Sequence, residues 1–284
     1  MIKVINTALK YRKVGQVTLS KLSTSLGEIN YTYRKSIDSQ PTIVFIPGFG
    51  GDSTYFNFKT IIDKIPDEYG FLAIDTIGTG ESISTTMERS AQNILKNIMD
   101  VIDYEQVNNP ITVVGHSLGG SYAMLLANDY PTKINSLLLI EPCYSEIKEA
   151  VLSEGGDFQS PESVESTKIT GNLKIADFLQ VVNPNNNEAE KQKNAEIFFN
   201  AYGNPMIYQE NNLIESLLDD LKNVEENLSN SQMNISIITS KNRHDEYIHS
   251  KFDLYTKIYS IGDNHYLHWT HPEFIVQKII DLQS

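Results

Sequence analysis

The chain has 284 residues, of which 40% are hydrophobic and 21% charged, and its formal net charge is −13 at pH 7. This length suffices for a large hydrophobic core, and the acidic balance argues against nucleic acid or an anionic membrane as partner. The single cysteine, Cys143, cannot form an internal disulfide and is consistent with a reducing compartment. No secretory signal or membrane span is recognisable, so we expect a soluble cytoplasmic protein.

The pattern of apolar residues predicts an α/β protein. Residues 12–20 and 27–35 alternate polar and apolar side chains, which predicts an opening pair of antiparallel strands. From Pro41 onward, short apolar strands alternate with helical stretches, as in βαβ units with a parallel sheet. This alternation stops after Pro142 and resumes at Asn234. Between them, helical periodicity is clearest over residues 173–182, 188–202 and 213–228.

The segment Gly115-His116-Ser117-Leu118-Gly119 predicts a serine on a sharp turn between a strand and a helix. A β-branched run, 110–114, precedes it, and an apolar helical run, 120–127, follows it. A turn this sharp has no room for a Cβ two residues before or after the serine, and the two glycines meet that requirement. Ser117 is therefore the predicted nucleophile.

A serine nucleophile requires a base elsewhere in the chain. Residues 255–260 alternate like a last strand, and a turn-forming segment ends at His265, which is the predicted general base. His268 and His271 follow at spacings of three, but no carboxylate or cysteine joins them in a recognised ligand spacing. No complete nucleotide-binding or zinc motif occurs, so we predict neither a metal nor another cofactor.

Together these features resemble the α/β-hydrolase fold, and in particular its capped, esterase-like members. The resemblance covers about residues 20–142 and 232–284 and includes Pro47-Gly48-Phe49-Gly50-Gly51, where the family usually has His-Gly. It implies a mostly parallel eight-stranded sheet flanked by helices, with an α-helical cap inserted after strand six. The implied core comprises residues 1–142 and 233–284, and the implied cap comprises 143–232. The alternative is that the insertion is a second domain with its own function.

The resemblance also implies an oxyanion hole and a catalytic acid. The backbone N–H groups of Phe49 and Leu118 would form the oxyanion hole. The family usually places its acid in the turn after strand seven, and Asp245 is the preferred residue in that region. Glu141, at the end of strand six, is the serious alternative, and Glu246 is a weaker one. Chain order fits the family with either Asp245 or Glu141, so it does not choose between them.

The turn after the predicted strand seven departs from the family pattern. Ser240 replaces the usual glycine, and Arg243 falls near the position where the family usually has its catalytic acid. Side chains around the nucleophile and in the insertion are predicted to wall the substrate pocket. These are His116, Tyr144, Phe198, Phe199 and Tyr202.

The predicted function is a cofactor-free serine hydrolase that cleaves a small ester-like substrate through an acyl-enzyme on Ser117. Thioesterase, amidase, C–C bond hydrolase and acyltransferase activities remain open, because they use the same triad with a different pocket. The alternative from another class is a non-catalytic ligand-binding protein with this fold. The expected partner is a small-molecule substrate, with no nucleic acid and no membrane, and the oligomeric state is left open.

Overall fold

The computed structural model of the protein describes residues 17–85, 88–154, 159–254 and 256–283. Within these ranges nine strands form one sheet. They are β1 (Thr18–Thr24), β2 (Gly27–Arg34), β3 (Thr42–Ile46), β4 (Gly70–Ile74), β5 (Ile83–Ser84), β6 (Ile111–His116), β7 (Ile134–Ile140), β8 (Asn234–Thr239) and β9 (Lys257–Ser260). The predicted first strand, 12–20, begins outside the described residues, and the described strand runs on to Thr24.

Eight of these strands follow the order β1-β2-β4-β3-β6-β7-β8-β9, and the two-residue β5 pairs only with β2. β2 is antiparallel to β1 and β4, and every pair from β4 through β9 is parallel. The predicted mostly parallel, eight-stranded sheet is confirmed, with β5 as a short addition. β3 and β6 are neighbours, but the chain goes from β3 to β4 on one side and from β6 to β7 on the other. The carboxyl ends of β3 and β6 therefore border a crevice.

Helices cover both faces of the sheet. In the described chain they are α1 (Thr54–Ile62), α2 (Ala91–Tyr104), α3 (Leu118–Asp129), α4 (Lys148–Glu154), α5 (Pro161–Ile169), α6 (Ile175–Phe178), α7 (Glu188–Ala201), α8 (Pro205–Ser229), α9 (His244–Ile248), α10 (Leu267–Thr270) and α11 (Pro272–Asp281). Short 3-10 turns occupy Ser145–Ile147 and Lys251–Leu254.

Alternation along the central strands divides the hydrophobic core in two. Val44 and Val113 face a layer formed by α2, α3 and α8, whereas their neighbours Phe45 and Val114 face α1 and α11. Successive side chains of a strand point to opposite faces, so strands covered on both faces must be apolar throughout. This explains the continuous apolar runs in the sequence.

Helices α4 to α8 lie between β7 and β8. The predicted helix over 173–182 is only the four-residue α6, because turns follow it as far as Pro184. The predicted helix over 213–228 is the last two-thirds of α8. That helix begins earlier because Pro205 starts it and the Asn204 side chain accepts a hydrogen bond from the N–H of Met206.

A buried ion pair connects α8 to the loop that precedes α2. Arg89 Nε lies 2.7 Å from Glu210 Oε2, and the hydroxyl of Tyr122 donates to Glu210 Oε1 at 2.7 Å. Both charged side chains are almost fully buried, so losing one partner would leave a costly uncompensated charge. α8 is therefore held firmly against α3.

In the described part of the chain, no helix combines the length and apolar character needed to cross a lipid bilayer.

Candidate active site

Ser117 stands at the turn between β6 and α3 in a strained backbone conformation, with φ +53° and ψ −123°. The chain passes so close to β3 that a Cβ on Gly119 would lie 2.3 Å from the carbonyl oxygens of Ile46 and Pro47. A Cβ on Gly115 would lie 2.5 Å from the carbonyl oxygen of Gly119. Contacts this short explain why both positions are glycine, and the turn holds Ser117 at the carboxyl end of the sheet.

Backbone hydrogen bonds fix this turn to the end of the neighbouring strand β7. The N–H of Ser117 donates to the carbonyl of Ile140 at 2.9 Å, and the N–H of Cys143 donates to the carbonyl of Ser117 at 3.0 Å. The strained conformation is therefore held from both sides. Ser117 Oγ lies 3.8 Å from Cys143 Sγ.

His265 lines the same cavity as Ser117 and is placed by the loop that follows β9. Its Nδ1 lies 3.4 Å from Glu141 Oε2, and its side chain is 40% exposed. The ring of His116 packs against the His265 ring, with centroids 4.7 Å apart, and His116 Nε2 lies 3.1 Å from the His265 carbonyl oxygen. The structure therefore brings the predicted nucleophile and base to one cavity.

Glu141 is fully buried at the end of β7 and has a positive φ of +49°. Its Oε1 accepts a hydrogen bond from the N–H of Ser240, and its Oε2 lies 3.3 Å from Arg243 Nη1. Burial alone would raise the pKa of this carboxyl. The hydrogen bonds from His265 and Ser240 and the charge of Arg243 outweigh that effect and hold the pKa below its ordinary value. Glu141 is therefore an ionised carboxylate at neutral pH.

The structure corrects the preference for Asp245 as the acid. After β8 the chain turns at Ser240 and enters α9, whose first turn carries Asp245 on its exposed side. The guanidinium of Arg243 instead lies beside Glu141. Glu246, the weaker alternative, accepts a hydrogen bond from Arg243 Nε at 2.9 Å. The carboxylate beside His265 is thus the one at the end of β7.

Two further histidines are buried behind this site. His116 is 2% exposed and His268 is fully buried, and their ring centroids are 4.5 Å apart. Burial and the neighbouring histidines lower the pKa of His116 well below 6.5 and that of His268 to about 3, so both rings are neutral. His268 Nε2 lies 2.8 Å from Asn57 Oδ1. His268 is thus part of the core, and His271 contacts Thr270 at 2.8 Å.

The cavity at Ser117 and His265 has a volume of about 440 Å³. Its wall comprises Gly48, Phe49, Asp52, Asn57, His116, Ser117, Leu173, Asp177, Phe178, Val181, Phe198, Tyr202, His265 and Tyr266. Six of these residues come from the insertion between β7 and β8. The rings of Phe198 and Tyr202 surround Phe178, with centroids 5.1 and 5.4 Å from its own.

Three of the predicted pocket residues line this cavity, namely His116, Phe198 and Tyr202, and two do not. Tyr144 is 1% exposed and packs between Tyr247 and Phe252 in the core, because its hydroxyl donates to the carbonyl of Glu246 at 2.7 Å. The ring centroid of Phe199 lies 5.8 Å from that of Phe178 and 4.7 Å from the Lys168 ammonium, so Phe199 packs behind the wall residue Phe178. Neither Tyr144 nor Phe199 is among the residues that line the cavity.

The segment that carries Phe49 lies directly against the serine. A Cβ on Gly48 would lie 3.1 Å from the Ser117 Cβ and 3.2 Å from His116 Nδ1. Leu118 is the first residue of α3, so its N–H has no partner within the helix. This arrangement is compatible with an oxyanion hole formed by the N–H groups of Phe49 and Leu118.

Four wall residues were not predicted from the sequence, namely Asp52, Asn57, Phe178 and Tyr266. Two signals were available. Asp52 and Asn57 follow the glycine-rich turn after β3, which must approach the serine in this fold, and Tyr266 is the immediate neighbour of His265. Phe178 carried no such signal, because its position depends on how the insertion folds.

Comparison with known proteins agrees with this architecture. The family model for the α/β hydrolase fold matches residues 41–172. The chain is 32% identical over 154 residues to the dihydrolipoyllysine-residue acetyltransferase component of an acetoin cleaving system from Cupriavidus necator. That match covers 52% of this chain and only 39% of the length of the relative.

Two solved structures share the fold over almost the whole chain at low sequence identity. A haloalkane dehalogenase loop variant from Bradyrhizobium elkanii has a TM-score of 0.73 and 16% identity, covering 93% of this chain and 96% of its own. The thioesterase domain from the curacin biosynthetic pathway has a TM-score of 0.66 and 15% identity, covering 93% and 99%. The chain therefore has the α/β-hydrolase fold.

Proposed function

We propose that this protein is a cofactor-free serine hydrolase that cleaves a small ester-like substrate through an acyl-enzyme on Ser117. The Ser117 hydroxyl attacks the carbonyl while His265 takes its proton, and Glu141 orients and stabilises the imidazolium. The N–H groups of Phe49 and Leu118 bind the oxyanion. His265 then protonates the departing alcohol. A water that gives its proton to His265 releases the acid and restores the serine.

One observation carries this proposal: a strained serine shares a cavity with a histidine whose second ring nitrogen faces a buried, ionised carboxylate. Strained backbone conformations concentrate at functional sites. Ser117 Oγ lies close to Cys143 Sγ, so in the proposed reaction the hydroxyl turns toward His265 when substrate enters. Catalytic hydrogen bonds commonly tighten in this way on substrate binding.

We also propose that the insertion, residues 143–232, acts as a cap over Ser117. The proposal is supported by the six insertion residues that line the cavity, most of them apolar or aromatic. A cap of this kind excludes water from the acyl-enzyme except for the attacking molecule. It also limits substrate size, because the cavity holds about 440 Å³.

The test is hydrolysis of p-nitrophenyl esters of increasing acyl length by the wild type, Ser117→Ala and the exposed-serine control Ser153→Ala. We expect the wild type and the control to turn over short esters equally, and Ser117→Ala to lose at least about a thousandfold in kcat. Matched thioesters and anilides then identify the bond that is cleaved. Binding of these compounds without turnover by the wild type would contradict the proposal and favour a ligand-binding protein.

A further inference from the structure

An acidic side chain is buried in the wall of the cavity and has no role in the proposed triad. Asp52 is 8% exposed and follows the glycine-rich turn after β3, two residues before the start of α1. Its Oδ2 accepts a hydrogen bond from Asn57 Nδ2 at 2.9 Å. A buried carboxyl group needs several hydrogen-bond donors to offset its lost hydration, and a substrate in this cavity can supply one.

The neighbours of Asp52 hold it in a fixed orientation. Asn57 Oδ1 accepts from His268 Nε2 at 2.8 Å, which settles that the Asn57 amide nitrogen faces Asp52. The neutral His268 ring is itself stacked on Phe58 with centroids 4.9 Å apart. Asn57 therefore uses its amide oxygen on His268 and one of its two amide hydrogens on Asp52. The Asn194 side chain is a second hydrogen-bond partner of the Asp52 carboxyl group. The two amides hold Asp52 in the cavity wall as an oriented hydrogen-bond acceptor.

Charges around the cavity favour the same kind of ligand. Among the described residues that form the wall, no lysine or arginine is present, and the other acidic residue is Asp177. Asp177 belongs to the insertion, is exposed, and accepts a hydrogen bond from the N–H of Lys174 at 2.8 Å. A substrate carboxylate would meet two acidic side chains and no cation, whereas a hydroxyl or ammonium group would meet a hydrogen-bond acceptor.

We propose that Asp52 is a specificity-determining residue that binds a hydrogen-bond donor, a hydroxyl or a protonated amine, on the substrate cleaved at Ser117. This inference rests on the proposed hydrolase function. The apolar side chains of Val181, Phe178 and Phe198 line the same cavity and suit an alkyl segment. The substrate class is therefore short alkyl esters that carry a hydroxyl or amino group away from the ester bond.

The experiment compares kcat/KM for matched aliphatic esters followed by acid release in a pH-stat. One series varies the acyl chain: ethyl hexanoate, its ω-hydroxy and ω-amino forms, and the monoethyl ester of adipic acid. A second series carries the same groups on the alcohol chain of an acetate ester. We expect the hydroxy or amino member of one series to exceed the plain ester by roughly 10- to 100-fold, and the carboxylate member to be poorest. The donor group, hydroxyl or amine, that gives the higher kcat/KM is then the one expected on the natural substrate.

Asp52→Asn tests the assignment with little change of shape. The new amide must turn its oxygen toward Asn57 Nδ2, which leaves an N–H donor facing the cavity. We expect the preference for the amino ester to disappear and the carboxylate ester to improve at least about tenfold. Asp103→Asn, at an exposed position of α2 outside the cavity, is the matched control and should keep the donor preference within about threefold. Thermal unfolding establishes that each variant is folded.

Equal kcat/KM for the plain and donor-bearing esters in the wild type would overturn the subsite while leaving the hydrolase function intact. The same conclusion follows if Asp52→Asn keeps the wild-type order of substrates. If the wild type cleaves no ester, the proposed function fails separately. The same compounds are then compared as ligands by the shift of the unfolding midpoint, and equal shifts for plain and donor-bearing members overturn the subsite.

Discussion

Glu141 and His265 are 124 residues apart in the chain, yet Glu141 Oε2 lies 3.4 Å from His265 Nδ1. The proposed triad thus takes its acid from the end of β7. Asp245, in the turn region after β8, is exposed on α9. Because the carboxyl ends of adjacent parallel strands lie side by side, a carboxylate at either strand end can reach the same histidine.

The first prediction concerns which carboxylate supports catalysis. Glu141→Gln should lower kcat by roughly 10³- to 10⁴-fold, because the amide cannot stabilise the imidazolium that forms when His265 takes the serine proton. Asp245→Asn should stay within about twofold of the wild type. Steady-state ester hydrolysis by both variants, with circular dichroism to check folding, decides the matter. A large loss in Asp245→Asn alone would reverse the assignment.

The second prediction concerns Arg243, which shares Glu141 Oε2 with His265. Arg243→Gln should lower the free energy of unfolding at pH 7 by about 1–3 kcal/mol, because a buried carboxylate loses a charged partner. The pKa of Glu141 is depressed in the folded state, so this stabilisation is present above the ordinary value of 4.5. It is lost as pH falls through the lower, folded pKa.

Urea unfolding of the wild type and Arg243→Gln at pH 7 and at about pH 4 measures this difference. The gap between the two proteins should be smaller at the lower pH, because without the arginine Glu141 takes up its proton at a higher pH and then no longer needs a charged partner. A gap that stays constant with pH would show that Arg243 acts through packing on Tyr247 instead.

The third prediction is an acid sensitivity that originates from His268. Its pKa is about 3 in the folded protein against an ordinary value of 6.5, so the unfolded chain binds the proton first as pH falls. Stability is therefore complete above pH 6.5 and declines toward pH 3, with a slope of about 1.4 kcal/mol per pH unit for this one proton. His116, whose pKa is also lowered by burial, adds to the decline.

His268→Leu provides the check. It should be less stable than the wild type at pH 7, because Asn57 loses its donor, but its unfolding free energy should fall less steeply between pH 6.5 and pH 5. Urea unfolding across this range gives both slopes. Identical slopes would show that His268 is not kept neutral by the fold.

The fourth prediction concerns the turn that carries Ser117. In an ordinary helix, Gly→Ala stabilises by up to about 1 kcal/mol, because glycine has the greater backbone entropy to lose. Gly119→Ala should instead destabilise the protein by at least about 3 kcal/mol, since its Cβ would overlap two carbonyl oxygens at 2.3 Å. Gly171→Ala, where nothing lies within 4 Å, should cost only about 1–2 kcal/mol for its positive φ of +71°. Equal costs would contradict the close approach at Ser117.

Much of the fold could be predicted because its signals are local. The strand Asn234–Thr239 and the turn that carries Ser117 can each be recognised from a few consecutive residues. Apolar alternation and a glycine on each side of a serine report burial and backbone geometry directly. The order of the strands was not predicted, since alternation alone does not specify which strands are neighbours.

The acid and the pocket wall could not be predicted with the same success, because they depend on contacts between distant segments. Glu141 and Asp245 satisfy the same chain order, and only the packing of Arg243 against Glu141 separates them. In the insertion, Phe198 and Phe199 are adjacent and chemically identical. The docking of α7 decides which of the two reaches the cavity.

Fluorophosphonate labelling read by intact mass measures whether Ser117 is an activated nucleophile. We expect one covalent adduct on the wild type, none on Ser117→Ala, and strongly slowed labelling of Glu141→Gln. Labelling of Asp245→Asn should match the wild type. A folded wild type that forms no adduct, or a Ser117→Ala variant that labels as fast as the wild type, would show that Ser117 is not the activated nucleophile.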